Sequence, residues 1–233
     1  MSRQVLAGVV AALAAFTLSG CGSASPGVAV HVGDQTLSTS EVDELTAAYC
    51  EGITPTLQSG GAVFPMSFVR AYVVRNLTLR AAAEQLAEDY SVDLPPSYAQ
   101  DVRALRAEME GSFREDRIDQ SLEVDSAGPY VNAVEIEVGG ILLAQAGESG
   151  ADDVAKQARG QEALQEWLSE HPADINPRYG ISVTDTDLGP PTFVDTGTSY
   201  ALSPNAVDAA KISSEDGPDP AHTANLPRSQ RCG

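Results

Sequence analysis

Between Pro65 and Tyr90, the apolar residues Val69, Tyr72, Val73, Leu79, Ala83, Leu86 and Tyr90 recur mostly at intervals of three and four. That period belongs to one face of an α-helix. At about 1.5 Å per residue the segment predicts a rod roughly 39 Å long. Such a rod cannot bury its stripe alone, so the chain must lay other amphipathic segments against it.

Those segments follow from the same pattern. Ser38 and Glu41 are spaced as a capping box ahead of Val42, Leu45 and Tyr49, which predicts a first helix. Cys50 lies near its end, and Gly52 with Pro55 reads as its stop. Pro95-Pro96 breaks the chain after the long helix. A third helix carries Tyr98, Val102, Leu105, Met109 and Phe113 on one face, with a bent continuation to Leu122. Gly128-Pro129 opens a fourth, with Val131, Val134, Val138, Ile141 and Leu142 inside; Gly139-Gly140 is expected to weaken it. A fifth runs from Asp152 to about Glu170, with Val154, Ala158, Leu164, Trp167 and Leu168 apolar, and Pro172 ends it. The Trp167-Leu168 pair reads as core rather than as a client groove.

Two short segments read as strands. In Val28-Ala29-Val30-His31-Val32 the valines alternate, and Gly33-Asp34 is a hairpin-turn signal. Ile181 to Val183 is a last short strand. The fold class expected is mainly α, with a small β element formed by N-terminal and C-terminal segments. From roughly Pro190 onward the chain is rich in Pro, Ser, Thr, Asp and Gly, and reads as a mostly irregular tail.

The N-terminus carries an address. Arg3 precedes an apolar run, Val5 to Leu18, too short for the about 20 residues a bilayer span needs. The run ends in Leu18-Ser19-Gly20-Cys21, which resembles the bacterial lipobox. The resemblance implies cleavage before Cys21, lipidation of its sulfur, and a cell-membrane anchor on the extracytoplasmic face, several acyl chains giving a stable hold. Residues 1–20 are then a signal peptide, 21–27 a Gly/Ser/Pro tether, 28–189 the helical domain and 190–233 the tail. With Cys21 lipidated, Cys50 and Cys232 remain, an even number in an oxidising compartment, and a disulfide between them is expected.

Charge removes one class of partner. The formal net charge is −19, and loss of the signal segment removes one cation and no acid. Such a surface repels nucleic acid and anionic headgroups. The acidity itself reads as solubility outside the cell.

The opening Ala29-Val30-His31-Val32-Gly33-Asp34-Gln35-Thr36-Leu37-Ser38, followed by Glu41 and Leu45, resembles the start of the SurA-type chaperone domain. Val69 to Tyr90 resembles that domain's second helix, and Asn176-Pro177-Arg178-Tyr179-Gly180 resembles the segment that closes it in related lipoproteins. Trigger factor has a related helical region. The resemblance covers roughly residues 28–185. It implies a β element in which Val28–Val32 lies near Ile181–Val183, and a non-enzymatic protein that holds unfolded or extended polypeptides in a cradle between amphipathic helices. Arg178 and Tyr179 are candidate peptide contacts; equally, Pro177 stiffens the segment, Gly180 allows an unusual turn and Tyr179 packs.

The family often carries a parvulin prolyl-isomerase insert, and this chain departs from that plan. Its histidines, His31, His171 and His222, are scattered, and no Gly-x-Ser-x-Gly, phosphate loop or Cys-x-x-Cys occurs. Asp185 and Asp187 lack the rest of a calcium loop. No catalytic residue, metal or cofactor is therefore expected. Two alternatives stand beside the chaperone-like reading: a degenerate peptidyl-prolyl isomerase, and an envelope-assembly lipoprotein with one dedicated partner.

Replacing Cys21 by Ala should release the protein from membranes or leave an uncleaved precursor. Membrane fractionation of cells checks this, and a processed variant that still sediments with membranes would overturn it.

Overall fold

The computed structural model describes residues 26–186, 191, 193–194 and 220–233. Cys21, the signal segment and Asp187 lie outside the described residues. The fold is mainly helical, with a small antiparallel sheet joining the two ends of the domain.

The hairpin forms as its turn residues require. Strand β1 (Val28–Val32) pairs with β2 (Gln35–Ser38), Val32 opposite Gln35, leaving Gly33-Asp34 as the two-residue turn with Gly33 at φ 57°. The register slips between Val28 and Val30, so Ala29 is buried along with Val30 and Val32. Helix α1 (Thr39–Gly60) follows at once: the backbone N–H of Glu41 donates to Ser38 Oγ (3.1 Å), and the N–H of Ser38 donates to Glu41 Oε2 (3.4 Å).

Gly52 and Pro55 do not stop α1, which runs through both to a left-handed Gly61. Gly52 is needed for packing instead. A Cβ there would run into Ser121 Oγ, which sits on α4 (Ile118–Asp125). The segment before α4 also clasps this stretch: the N–H of Arg114 donates to the Gly52 carbonyl (2.9 Å), and Arg117 Nε to Glu51 Oε2 (2.6 Å).

The long helix is α2 (Met66–Asp89), preceded by the two-residue strand β3 (Phe64–Pro65). Helix α3 (Pro96–Glu110) ends before α4 rather than bending into it, with a 3-10 turn at Glu115–Arg117 between them. Its apolar face makes a satellite cluster, in which Val102, Leu105 and Phe113 pack on Met109, Ile118 and Leu122.

Helices α5 (Ala127–Gln145) and α6 (Asp153–Glu170) form a tight antiparallel pair. Gly139 does not weaken α5; it lets α6 in. A Cβ on Gly139 would strike the carbonyl of Lys156, and one on Gly160 would strike the carbonyl of Glu135. Each glycine thus receives the other helix's backbone.

The return strand is not Ile181–Val183. β1 pairs instead with β4 (Asp174–Ile175), Val30 opposite Ile175 and His31 opposite Asp174. Ile181 and Val183 are buried, and Ile181 makes an isolated bridge to Phe193. The end of the tail is ordered: α7 (Pro220–Asn225), a 3-10 turn at Arg228–Gln230, and β5 (Arg231–Cys232), which pairs with β3.

Gly160→Ala should destabilise the fold by roughly 1–3 kcal/mol, because overpacking of backbone against backbone outweighs the gain in helix propensity. Gly140→Ala should be neutral or stabilising by up to about 1 kcal/mol, since a Cβ there meets only the flexible Lys156 side chain at 3.4 Å. Denaturant unfolding of the two variants tests the contrast.

Candidate functional site

Cys50 and Cys232 are joined, with Cα atoms 5.6 Å apart and a sequence separation of 182. Cys50 lies within α1, and Cys232 on β5 is fully buried. Chain-entropy models allow about 5 kcal/mol for closing a loop of this size.

The closing segment is a clasp. Asn176 Nδ2 donates to the Val28 carbonyl (3.0 Å), its N–H to the Ala29 carbonyl (2.8 Å), and its Oδ1 accepts from the N–H of Arg178 (3.2 Å). Gly180 follows at φ 65°. Tyr179 is buried, and burial pushes its phenol pKa up. Arg178 lies over its ring at 5.5 Å and reaches Asp43 Oδ2 at 3.5 Å. Tyr179 is therefore a packing residue, and Arg178 is the half of the pair that faces solvent.

His31 and His171 do not come together. His31 is on the exposed face of β1, against Gln35 and Thr36. His171 stacks on Trp167 at 4.4 Å, and Trp167 Nε1 donates to Asp89 Oδ2 (3.0 Å). Trp167 and Leu168 belong to the core. Among the described residues no group of three His, Cys, Asp or Glu side chains could hold a metal ion, and no helix is long and apolar enough to cross a membrane.

An open cleft has a volume of about 620 Å³. It sits where α2 ends, beside the start of α5, lined by Glu84, Glu88, Ser91, Val92, Asp93 and Tyr130. Arg80 bonds Glu84 Oε1 (2.9 Å) and covers the Tyr130 ring at 5.3 Å, while Tyr98 of α3 meets that ring edge-on at 5.6 Å. Burial raises the Tyr130 phenol pKa, and the Glu84 carboxylate adds to the rise. Beside the Arg80–Glu84 pair the cleft offers the carboxylates of Glu88 and Asp93 and an aromatic wall, a combination suited to a cationic side chain with an apolar stem.

Among the described residues, Asp125 is partly buried and Glu135 buried. Asp125 accepts from Tyr49 Oη (2.8 Å) and Tyr72 Oη (3.0 Å), tying α1, α2 and α4 together. Burial raises its pKa, and the two phenol bonds oppose the rise. Burial also raises both tyrosines, and the facing Asp125 charge adds to it. Glu135 is 4 % exposed, beside the α5–α6 crossing. Burial pushes its pKa up to about 7, and a hydrogen bond with Gln157 opposes this. Sequence reasoning reached neither group, because each is one of 33 acids and stands out only once buried.

Glu135 makes stability depend on pH. Its folded pKa lies above its unfolded value near 4.5. The folded protein therefore binds more protons between the two, and stability falls as pH rises from about 4.5 to about 7. The loss is on the order of 2–3 kcal/mol, with Asp125 contributing in the same direction. Glu135→Gln should flatten its share of the slope, read from unfolding midpoints at pH 5 and pH 8.

Against models of known families, curated proteins and solved structures, the chain shows no match.

Proposed function

We propose that this chain is a lipid-anchored, extracytoplasmic protein that binds polypeptide without catalysing a reaction on it. The Cys50–Cys232 disulfide supports the compartment, because such bonds persist where the surroundings are oxidising. The lipobox-like Leu18-Ser19-Gly20-Cys21 supports the anchor. The observation that carries the binding reading is the cleft at Tyr130. A Lys or Arg side chain of a partner would set its charge between Glu88 and Asp93, beside the Arg80–Glu84 pair, and lay its stem along the part of Tyr130 that lines the cleft. The net charge of −19 would speed the approach of a basic partner and make that approach salt-sensitive.

Within this reading the surface favours one dedicated partner over many unfolded clients. A holding cradle displays large apolar side chains. Among the described residues, the exposed ones of that kind are Val154 and Val194. A carboxylate-lined cleft selects by charge and geometry instead.

A photo-crosslinker in place of Tyr130, expressed in cells with the anchor intact, should trap one dominant polypeptide, and Glu88→Lys should abolish the adduct. A broad smear of adducts would favour the chaperone-like reading. Acceleration of a proline-limited refolding phase by the purified protein would favour the isomerase.

A further inference from the structure

The strand β5 is held to the fold in an unbalanced way. It contributes two residues, Cys232 opposite Phe64 and Arg231 opposite Pro65. Of the side chains described between residues 220 and 233, Thr223 and Cys232 are the buried ones. Arg231 Nη1 donates back to the Ala224 carbonyl (3.1 Å), which is internal to the segment. Gly233 fits against the Ala62 carbonyl, with no room for a Cβ, and beside Leu57. Among the described side chains of residues 226–233 only Cys232 is buried, and a two-residue ladder is marginal in water. The bond from Cys232 to Cys50 is the covalent tie of this end to the fold. The core, by contrast, is built from β1, α1, α2, α5 and α6, and Cys232 is the only residue beyond the Ile181–Phe193 region that belongs to it among those described.

What β5 covers is a strand edge with aromatic flanks. β3 has β5 as its partner strand. Phe64 packs on Phe68 at 5.4 Å, and Phe68 on Phe193 at 6.3 Å. Removing β5 would leave the backbone edge of Phe64-Pro65 unpaired, next to Leu57 and Val63.

We propose that the Cys50–Cys232 bridge is a redox latch, whose reduction frees residues 226–233 and uncovers the β3 edge while the helical core stays folded. Cys232 is fully buried and Cys50 is only partly so, which directs attack to the Cys50 sulfur. A thiolate of a dithiol reductant bonds to Cys50 Sγ as the Sγ–Sγ bond breaks, and Cys232 leaves as a thiolate that takes up a proton. The reductant's second thiol then displaces Cys50, which is protonated in turn. The bridge gains two electrons and two protons, and the dithiol ends as a disulfide.

Hydrogen exchange of the full chain, oxidised and after treatment with dithiothreitol, tests this. Reduction should speed exchange by roughly tenfold or more at residues 62–66 and 226–233, as local opening does, and leave α2, α5, α6 and the far-ultraviolet helical signal unchanged. Cys232→Ser without reductant should reproduce the pattern. Unchanged protection of 226–233 in both samples would overturn the latch, because the segment would then be held without the bond. Loss of the helical signal on reduction, or in Cys232→Ser, would overturn it too, because the bond would then be a staple for the whole fold.

Discussion

The structure depends on burying α2 on nearly all sides. Its alanines, Ala71, Ala81, Ala82, Ala83 and Ala87, let neighbouring elements come close, while Val69, Val73, Val74, Leu79 and Leu86 fill the space between them. A helix surrounded in this way must also find partners for every polar side chain it carries inward. Gln85 donates to the Val32 and Ala81 carbonyls and accepts the N–H of Asp34, which seats the hairpin turn on the helix. Asn76 and Thr78 bond back to the carbonyls of Tyr72 and Val74, one turn earlier. Arg75 reaches Asp185 at 2.7 Å, which brings the loop after β4 to the same rod.

The α5–α6 pair obeys a different rule. There, contact is backbone to backbone through Gly139 and Gly160, and side-chain volume is excluded. Glu135 is caught beside that contact, where its carboxyl has Gln157 for a partner and little water. Close approach and a desolvated acid are thus two results of one crossing.

Where residue type and spacing carry an unambiguous physical meaning, the fold was legible. The Ser38–Glu41 box, the Gly33-Asp34 turn and the period of α2 each have one structural solution, and the structure contains it. The Cys50–Cys232 pair was legible by arithmetic on an even number of thiols. Glycine was not. Gly52 and Gly139 look like breaks in a one-dimensional reading, and with Gly160 they are points of contact in three dimensions. β4 was missed because two residues, Asp174 and Ile175, are too few to show alternation, whereas Ile181 and Val183 alternate because they are buried outside the sheet. The Tyr130 cleft left no trace, since its lining comes from separate elements and its acids are of the commonest kind in the chain.

Trp167 gives the molecule a built-in optical probe. It is the chain's one tryptophan, and it is buried on α6 with its indole N–H on Asp89 of α2 and its ring against His171. Its emission therefore reports how α6 sits on the central rod, with no background from any second indole. An α6 that lifted away would lose the Asp89 bond and the imidazole stack together, and the fluorescence would shift toward that of a solvated indole. Motion of that one helix can be followed in the native protein, without a label.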